Sequence, residues 1–380
     1  MQRQIWNTLI SRCGVLLCLF FDFHVKAEEL SPVDKARTKS LIYFGSFDVG
    51  GCGLLPTPAF IATNRAYLDT LPFDGLVVYL RTPPRYTNVT ASVMSYKNKL
   101  VSYETIMAVM APMRGLAFNR LKHNYVLTLT SKPADFFDDW SVCITNFSQL
   151  ARAAKDSGFK GIFFDNEVYD GHPFANYPNT CADKNKSLSE YEAQARLRGK
   201  QLMQAMIENF PDIVVITAHG PYVSVPGVHW SNLNDVSSHN ELAGPFFAGF
   251  LEATVGTPAT SVDGGELYDR RAVEDFQACY DWRKTTIASE AVNCTFIPAP
   301  LRAAWPAKSS MAFGVYDVKF GGRPVDAAIM QTTLANALAR ADKVVWLYTE
   351  KMSFLAAPGK SPAAASQEWI DAIRQGSKGK

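Results

Sequence analysis

Short apolar segments rich in β-branched and aromatic residues alternate along the chain with longer segments of helical periodicity. This alternation is typical of successive βα units on a parallel sheet. The eight apolar segments predict eight strands, and eight such units indicate a closed (β/α)8 TIM barrel. The predicted strands are Leu41–Phe47, Leu76–Leu80, Tyr125–Thr130, Gly161–Asp165, Ile213–Ala218, Thr260–Glu266, Met311–Tyr316 and Val344–Tyr348.

The segments between these strands carry helix start signals and apolar stripes. Ser102 precedes a stripe that reaches Met113, and Ser189 opens a long helical run that stops before Pro211. No repeat, low-complexity tract or linker interrupts the series. Residues 28–375 are therefore predicted to form one domain, followed by a disordered tail at residues 376–380.

Long connections rich in Pro, Gly, Asn and aromatic residues follow several of the predicted strands. Two of them span residues 170–188 and 220–240. In a TIM barrel the loops that follow the strands lie on the C-terminal face, where active sites are built. The sequence therefore predicts a functional site among long loops on that face.

The first residues have the features of an export signal. Arg3 and Arg12 precede an apolar run at residues 14–21, and Val25-Lys26-Ala27 offers a small-residue cleavage site. The run is shorter than the roughly 20 apolar residues that cross a bilayer. Residues 1–27 are predicted to be a signal peptide, which implies a secreted or periplasmic protein with no membrane association after cleavage.

Charge and cysteine content narrow the function classes. The chain has a formal net charge of +2, and the predicted leader carries three basic residues and one acidic residue, so the remainder is neutral. A neutral chain gives no electrostatic basis for binding nucleic acid.

The cysteines form no C-x-x-C pair of the kind that binds a metal or acts in redox chemistry. In an oxidising compartment the cysteines outside the leader allow two disulfides and one free thiol, namely Cys52, Cys143, Cys181, Cys279 and Cys294.

The fourth predicted strand ends in a cluster of carboxylates. Asp165 and Glu167 are two residues apart, so on a strand both side chains point to one face, here the barrel mouth. Two neighbouring acids repel each other, which raises one pKa and keeps that group protonated as a general acid. The alternatives are a salt-bridged rim or a metal-binding pair. Metal binding is less favoured because the nearest strand-end histidine is His219, on the fifth strand.

A second acidic segment ends the sixth predicted strand. Gly264 and Gly265 precede Glu266, and paired glycines allow close approach of the backbone to a ligand or a bulge that redirects Glu266. Glu266 is therefore a third candidate catalytic residue. Asp269 is less favoured as a site residue, since it also fits the cap of a helix that starts near Arg270. Trp346 is either a platform for a sugar ring or part of the barrel core. The candidate substrate-binding residues are Asp48, Arg81, Tyr169, His219, Tyr268, Asp317, Trp346 and Glu350.

The segment from Lys160 to Glu167 resembles the fourth-strand signature of chitinase-like glycoside hydrolases. In that family a D-x-E ends the strand, the Glu donates a proton and the Asp orients an acetamido group, which implies these roles for Glu167 and Asp165. The family's two earlier aspartates are replaced here by Phe163 and by a non-acidic residue upstream. Tyr268-Asp269 is similar to a Tyr-Asp on the family's sixth strand.

Two further resemblances also indicate sugar chemistry. Asn166-Glu167 resembles the Asn-Glu that ends the fourth strand in the large retaining glycosidase clan. That clan has its nucleophile on the seventh strand, where this sequence has Tyr316-Asp317. The Phe-Phe-Asp-Asn run is similar to secreted polygalactosaminidase-like barrels. The three resemblances agree on sugars and differ on the linkage.

These observations predict a glycoside hydrolase that acts on an oligo- or polysaccharide, with Glu167 as general acid/base. Asp165 would orient the substrate, modulate the pKa of Glu167, or act as nucleophile with Glu266 as acid. No cofactor or metal is expected, since the sequence has no phosphate-binding loop and no histidine next to the carboxylate pair. The absence of a G-x-S-x-G motif argues against a serine nucleophile. The competing classes are a non-catalytic carbohydrate-binding barrel and a metal-dependent hydrolase that uses Asp48, Asp165 and His219.

Overall fold

Parallel strand pairing organises the structure, and every pair of adjacent strands is parallel. The computed structural model describes residues 39–46, 54–81, 99–129, 135–167, 177–179, 181–225, 242–292, 294–319 and 325–378. The strands are β1 (Ser40–Gly45), β2 (Gly75–Val78), β3 (Tyr125–Leu129), β4 (Gly161–Asp165), β5 (Val214–Thr217), β6 (Thr260–Asp263), β7 (Ser309–Met311), β8 (Phe313–Tyr316) and β9 (Val344–Thr349).

The strands close into a barrel through β7 and β8. Their order in the sheet is β7-β6-β5-β4-β3-β2-β1-β9-β8, and only Ala312 separates β7 from β8 along the chain. These two segments are therefore one interrupted strand that pairs with β6 on one side and with β9 on the other. At the interruption the Ala312 N–H donates to the Asp263 carbonyl oxygen at 2.8 Å. The predicted (β/α)8 TIM barrel is confirmed.

Helices follow the strands and begin at capping residues. The Ser102 and Ser366 side chains accept hydrogen bonds from N–H groups in the first turn of their helices. Ser187, two residues before the predicted start at Ser189, forms a capping box with Glu190. The α-helices of the described residues are α1 (Pro58–Thr63), α2 (Arg65–Leu68), α3 (Tyr103–Met110), α4 (Ser141–Asp156), α5 (Leu188–Asn209), α6 (Ala243–Thr254), α7 (Val273–Lys284), α8 (Ala299–Lys308), α9 (Ala327–Arg340) and α10 (Gln367–Gly376).

Alternating side chains of the strands form two separate apolar cores. On β4, Phe163 packs inside the barrel with Phe44 and Trp346, at ring-centroid distances of 5.0 and 5.2 Å. The next residue, Phe164, packs outward against the helices. Because Asp165 is two residues after Phe163, its side chain lies on the inner side of the barrel, at the mouth.

Two of the differences between observed and predicted element ends have a clear physical cause. Strand β6 ends at Asp263 instead of Glu266, because Gly265 has a positive φ of 61° that a regular strand does not contain. Helix α10 continues through Gly376, where the tail was predicted to begin. A Cβ at Gly376 would lie 2.5 Å from the Gln331 carbonyl oxygen, so the helix end packs closely on α9.

The described cysteines are buried side chains of the core. Cys143, Cys181, Cys279 and Cys294 form no disulfide bond with one another in the described part of the chain. Cys52, the predicted leader at residues 1–27, and the candidate site residues Asp48 and Tyr169 lie outside the described residues. Among the helices of the described ranges, none has both the length and the apolar character needed to cross a membrane.

Candidate active site

Three adjacent strands bring four titratable side chains to the C-terminal mouth of the barrel. Asp165 ends β4, Glu167 follows it, His219 is two residues after β5, and Glu266 is three residues after β6. His219 Nε2 lies 3.7 Å from Glu167 Oε1 and 3.5 Å from Glu266 Oε2. We call these four residues the mouth cluster. Asp165, Glu167 and Glu266 were the predicted catalytic residues, and His219 was a predicted substrate-binding residue.

Hydrogen bonds at the end of β4 fix the relative positions of Glu167 and His219. The Glu167 N–H donates to Asp165 Oδ1 at 3.1 Å. Asn166, which is 3% exposed, donates from Nδ2 to the His219 carbonyl oxygen at 2.9 Å and accepts from the His219 N–H at 2.8 Å. The carboxamide of Asn166 thus acts as a bridge between the ends of β4 and β5.

Two glycines determine where Glu266 lies. A Cβ at Gly264 would lie 2.5 Å from the Thr217 carbonyl oxygen, and one at Gly265 would lie 2.0 Å from Arg283 Nη1. The carbonyl oxygen of Gly264 accepts a hydrogen bond from Trp346 Nε1 at 2.8 Å. A side chain at either position would displace the turn, so the backbone that carries Glu266 requires glycine.

A buried ion pair lies behind this turn. Arg283 Nη1 is 3.1 Å from Asp263 Oδ1, and both side chains are completely excluded from solvent. The Gly265 N–H donates to the same Asp263 oxygen at 3.0 Å, and Arg283 Nη2 donates to the Ala312 carbonyl oxygen at 2.7 Å. The pair therefore joins the end of β6 to α7 and to the interrupted strand that closes the barrel.

Burial and mutual repulsion shift the protonation of the mouth cluster. Burial raises the pKa of Glu266 to about 8, and the charges of Glu167 and Asp165 act in the same direction. Burial, followed by the charge of Glu167, raises the pKa of Asp165 to about 7. Burial alone would lower the pKa of His219, but the carboxylates of Glu266 and Glu167 raise it to about 9. The charge of His219 opposes the rise at Glu266, and the charge of Glu266 contributes to the rise at His219, so the two titrations are linked. The pair as a whole therefore retains protons to a higher pH than the isolated side chains would.

Three tyrosines form a wall beside Glu266. The ring centroids of Tyr268 and Tyr316 are 4.6 Å apart, and those of Tyr316 and Tyr348 are 5.5 Å apart. Tyr268 also hydrogen-bonds Glu266. Glu350 accepts from the Tyr316 hydroxyl at 2.5 Å, and its other oxygen lies 3.4 Å from the Tyr348 hydroxyl. The predicted site residues Tyr268 and Glu350 thus lie together, next to the mouth cluster.

Other candidate residues have structural contacts. Trp346 is 1% exposed and fills the barrel interior, so it belongs to the core and is not an open platform. Both carboxylate oxygens of Asp317 accept backbone N–H bonds from residues 350–352, which holds the connection after β9. The guanidinium carbon of Arg81 lies 5.9 Å from the centre of the Tyr79 ring, beyond the end of β2.

Several residues that surround and support the mouth cluster were not identified from the sequence. In the sequence Asn166 is a motif residue with no sign of its bridging role. Tyr222, whose hydroxyl lies 3.4 Å from His219 Nδ1, has no local signal, and neither does Arg283 within the pattern of α7. One signal was available for Asp263, because an acid that ends a barrel strand is typical of a functional region.

The mouth cluster also contains a set of atoms that could hold a cation. Glu167, His219 and Glu266 each offer one ligand atom, and these three atoms lie within 4.8 Å of one another. This set differs from the metal set considered from sequence, which combined Asp48, Asp165 and His219. An imidazole with two carboxylates suits zinc, manganese or cobalt better than calcium or magnesium.

Comparison with known proteins gives similar solved structures and no family. No protein-family model matches the sequence, and no curated protein matches it. A xylanase from Cellvibrio japonicus is 9% identical with a TM-score of 0.45, and the match covers 90% of this chain and 97% of that one. A chitinase domain from Pyrococcus furiosus is 7% identical with a TM-score of 0.44, covering 89% and 94%.

An enzyme of another class is similar to the same degree. The 3-keto-D-glucoside 4-epimerase from E. coli is 12% identical with a TM-score of 0.41, covering 88% of this chain and 97% of that one. At such identities and TM-scores these likenesses carry no argument about activity. The strand pairing itself defines the barrel fold, and the mouth cluster is the feature that bears on function.

Proposed function

We propose that this protein hydrolyses glycosidic bonds in an oligo- or polysaccharide, with Glu167 and Glu266 as the working pair. The observation that supports this proposal is the unequal burial of two close carboxyl groups at the barrel mouth. The Glu266 side chain is 12% exposed and the Glu167 side chain 31%. Unequal environments separate the roles of acid and base in a pair of carboxyl groups.

Burial favours Glu266 as the proton donor. With a pKa raised to about 8, Glu266 is protonated at neutral pH and can deliver its proton to the leaving oxygen. Glu167, expected from the sequence to be the acid/base, then acts as the carboxylate partner. One oxygen of Glu167 and one oxygen of Glu266 lie within 4.8 Å of each other, and retaining enzymes hold their two carboxyl groups about 5–5.5 Å apart. This short distance favours retention of configuration.

The proposed reaction has two steps. In the first, a Glu167 oxygen bonds to the anomeric carbon as the glycosidic C–O bond breaks, and the leaving oxygen takes the proton of Glu266. In the second, water attacks the anomeric carbon, Glu266 takes a proton from that water, and the bond to Glu167 breaks. Both carboxyl groups return to their initial states.

The neighbouring side chains support this division of roles. His219, as an imidazolium 3.7 Å from Glu167 Oε1, stabilises the negative charge of Glu167. Tyr268 hydrogen-bonds Glu266 and orients it. The faces of Tyr268, Tyr316 and Tyr348 would pack on the apolar C–H faces of sugar rings. The predicted export signal fits a polysaccharide substrate outside the cytoplasm.

Leaving-group dependence tests the roles. We expect E266Q to lose about 10²–10⁴-fold in kcat/KM on a natural saccharide and to recover much of kcat/KM on an aryl glycoside whose phenolate leaves without protonation. On the aryl glycoside its kcat should stay low, because the second step still lacks the base. E167Q should remain inactive on both substrates, since it lacks the nucleophile. E368Q, a change at an exposed glutamate in the first turn of α10, is the matched control and should keep wild-type rates. Recovery of E167Q instead of E266Q would reverse the assignment.

A second candidate is metal-dependent chemistry at Glu167, His219 and Glu266, favoured by the closeness of their ligand atoms. Treatment with a strong chelator separates the two candidates. The acid/base proposal requires full activity after metal removal. Loss of activity that Zn²⁺, Mn²⁺ or Co²⁺ restores would replace acid/base catalysis with metal-assisted catalysis.

A further inference from the structure

We propose that the buried pair of Asp263 and Arg283 positions the mouth cluster from behind and thereby sets the rate of the reaction. The proposal rests on the proposed function, because positioning is meaningful only for groups that react. Neither residue belongs to the mouth cluster. Asp263 ends β6 and Arg283 lies on α7, and two separate sets of contacts connect them to Glu266 and to His219.

The first set of contacts fixes the turn before Glu266. Asp263 Oδ1 accepts from Arg283 Nη1 at 3.1 Å and from the Gly265 N–H at 3.0 Å. Arg283 Nη2 donates to the Ala312 carbonyl oxygen at 2.7 Å, and the Gly265 carbonyl oxygen accepts from the Gly314 N–H at 2.9 Å. The turn is therefore held on both sides immediately before the proposed proton donor.

The second set of contacts fixes the segment after His219. A Cβ at Gly220 would lie 2.1 Å from the carboxyl carbon of Asp263, so this carboxyl group packs directly against the backbone. Two residues further, the Tyr222 ring centre lies 5.8 Å from the Arg283 guanidinium carbon. The Tyr222 hydroxyl lies 3.4 Å from His219 Nδ1. The same ion pair therefore contacts the supports of both Glu266 and His219.

Stability alone gives a weak reason for such a pair. Taking two charges fully out of water costs so much that apolar replacements of both residues are often neutral or stabilising. Directional, charge-assisted hydrogen bonds instead fix positions closely, and displacement of a reacting group by about 1 Å can cost about 10²-fold in rate. We therefore infer that the pair serves to fix the positions of Glu266 and His219.

The test uses a double variant, D263L/R283M, which removes both charges and leaves no unpaired one. Its matched control is K284M/D342L. That pair also connects α7 to the barrel, at 2.8 Å, through residues outside the contacts described above. We expect both variants to fold by circular dichroism. D263L/R283M should lose about 10–100-fold in kcat with a small change in KM, whereas K284M/D342L should lose less than about 3-fold.

A substrate-free measurement separates this proposal from the proposed function. In NMR spectra at one fixed pH, with the His219 signals assigned through H219Q, the wild type and the control should show a nuclear Overhauser contact between the His219 and Tyr222 rings, and D263L/R283M should lose it. Loss of this contact in D263L/R283M, without any hydrolysis by the wild type, would support positioning and overturn the proposed reaction. A folded D263L/R283M with unchanged kcat and an intact contact, or a control with equal losses, would overturn positioning.

If D263L/R283M does not fold, R283K decides the question. Lysine keeps the charge but lacks the planar group that reaches both Asp263 and the Ala312 carbonyl oxygen. A several-fold loss in kcat together with loss of the nuclear Overhauser contact between the His219 and Tyr222 rings would support the proposal. A wild-type kcat with the contact intact would show that Arg283 only stabilises the fold.

Discussion

At the residue scale, the mouth cluster shows how burial raises the pKa values of ordinary carboxyl groups. Asp165, Glu167 and Glu266 share one region, yet Glu266 is nearly enclosed while Glu167 is partly open to solvent. His219 lies between the two glutamates and carries the compensating positive charge. Sequence identified all four residues, because each lies at a predicted strand end. Which glutamate holds the proton depends on burial, and burial at the mouth is not encoded in a local pattern.

This arrangement should reduce stability at alkaline pH. The folded pKa of Glu266, about 8, is above its ordinary value of 4.5, so the folded state holds a proton that the unfolded chain releases. The folded pKa of His219, about 9, is above 6.5, so its stabilisation is present below pH 6.5 and is lost as pH rises through 9. Both effects lower the free energy of unfolding as pH rises from about 5 to 9.

E266Q should therefore lose less stability than the wild type over this pH range. We expect the free energy of unfolding of E266Q, relative to wild type, to rise by on the order of 4 kcal/mol between pH 5 and pH 9. Urea unfolding at several pH values measures it. E368Q should show no such trend. A constant difference between E266Q and wild type across the range would contradict the proposed burial of a protonated Glu266.

At the element scale, strand periodicity predicted which side chains share a face, and long-range contacts decided the rest. The alternation along β4 placed Asp165 correctly on the inner side of the barrel, two residues after Phe163. The early end of β6 was not predicted, because the positive φ of Gly265 is set by contacts with Arg283, 18 residues later, and with Ala312. Helix periodicity along α7 gives Arg283 no distinguishing feature.

Gly265 offers a test of that turn. G265A should lower the free energy of unfolding and reduce activity, since the added methyl would strike Arg283 Nη1 and the Ala312 carbonyl oxygen. G256A is the matched control, because Gly256 has a similar positive φ of 79° and a Cβ added there would meet no atom within 4 Å. Both changes incur the left-handed backbone cost of about 1–2 kcal/mol.

Only G265A should incur the crowding, a further cost of about 1–3 kcal/mol. Thermal or urea unfolding measures the difference between the two variants. Equal destabilisation, with activity intact in both, would show that the turn before Glu266 adapts freely.

At the scale of the whole molecule, the count of βα units was sufficient to predict a barrel. The interruption at Ala312 was not predicted, because an apolar run gives no sign of which neighbour each half of a strand will pair with. Closure of the barrel determines which strand ends become neighbours. It brings Glu167, His219 and Glu266 together, while Asp317 turns to backbone N–H groups of the next connection.

Cleavage of glycosidic bonds is the central claim, and the release of reducing ends tests it most directly. Wild type, E266Q and E368Q should be compared at neutral pH on a panel of polysaccharides that includes amino-sugar polymers. We predict release of reducing ends by the wild type and E368Q from at least one polymer, and a rate about 10²–10⁴-fold lower for E266Q. Release by E266Q at the wild-type rate, or no release by the wild type from any polymer, would contradict the account.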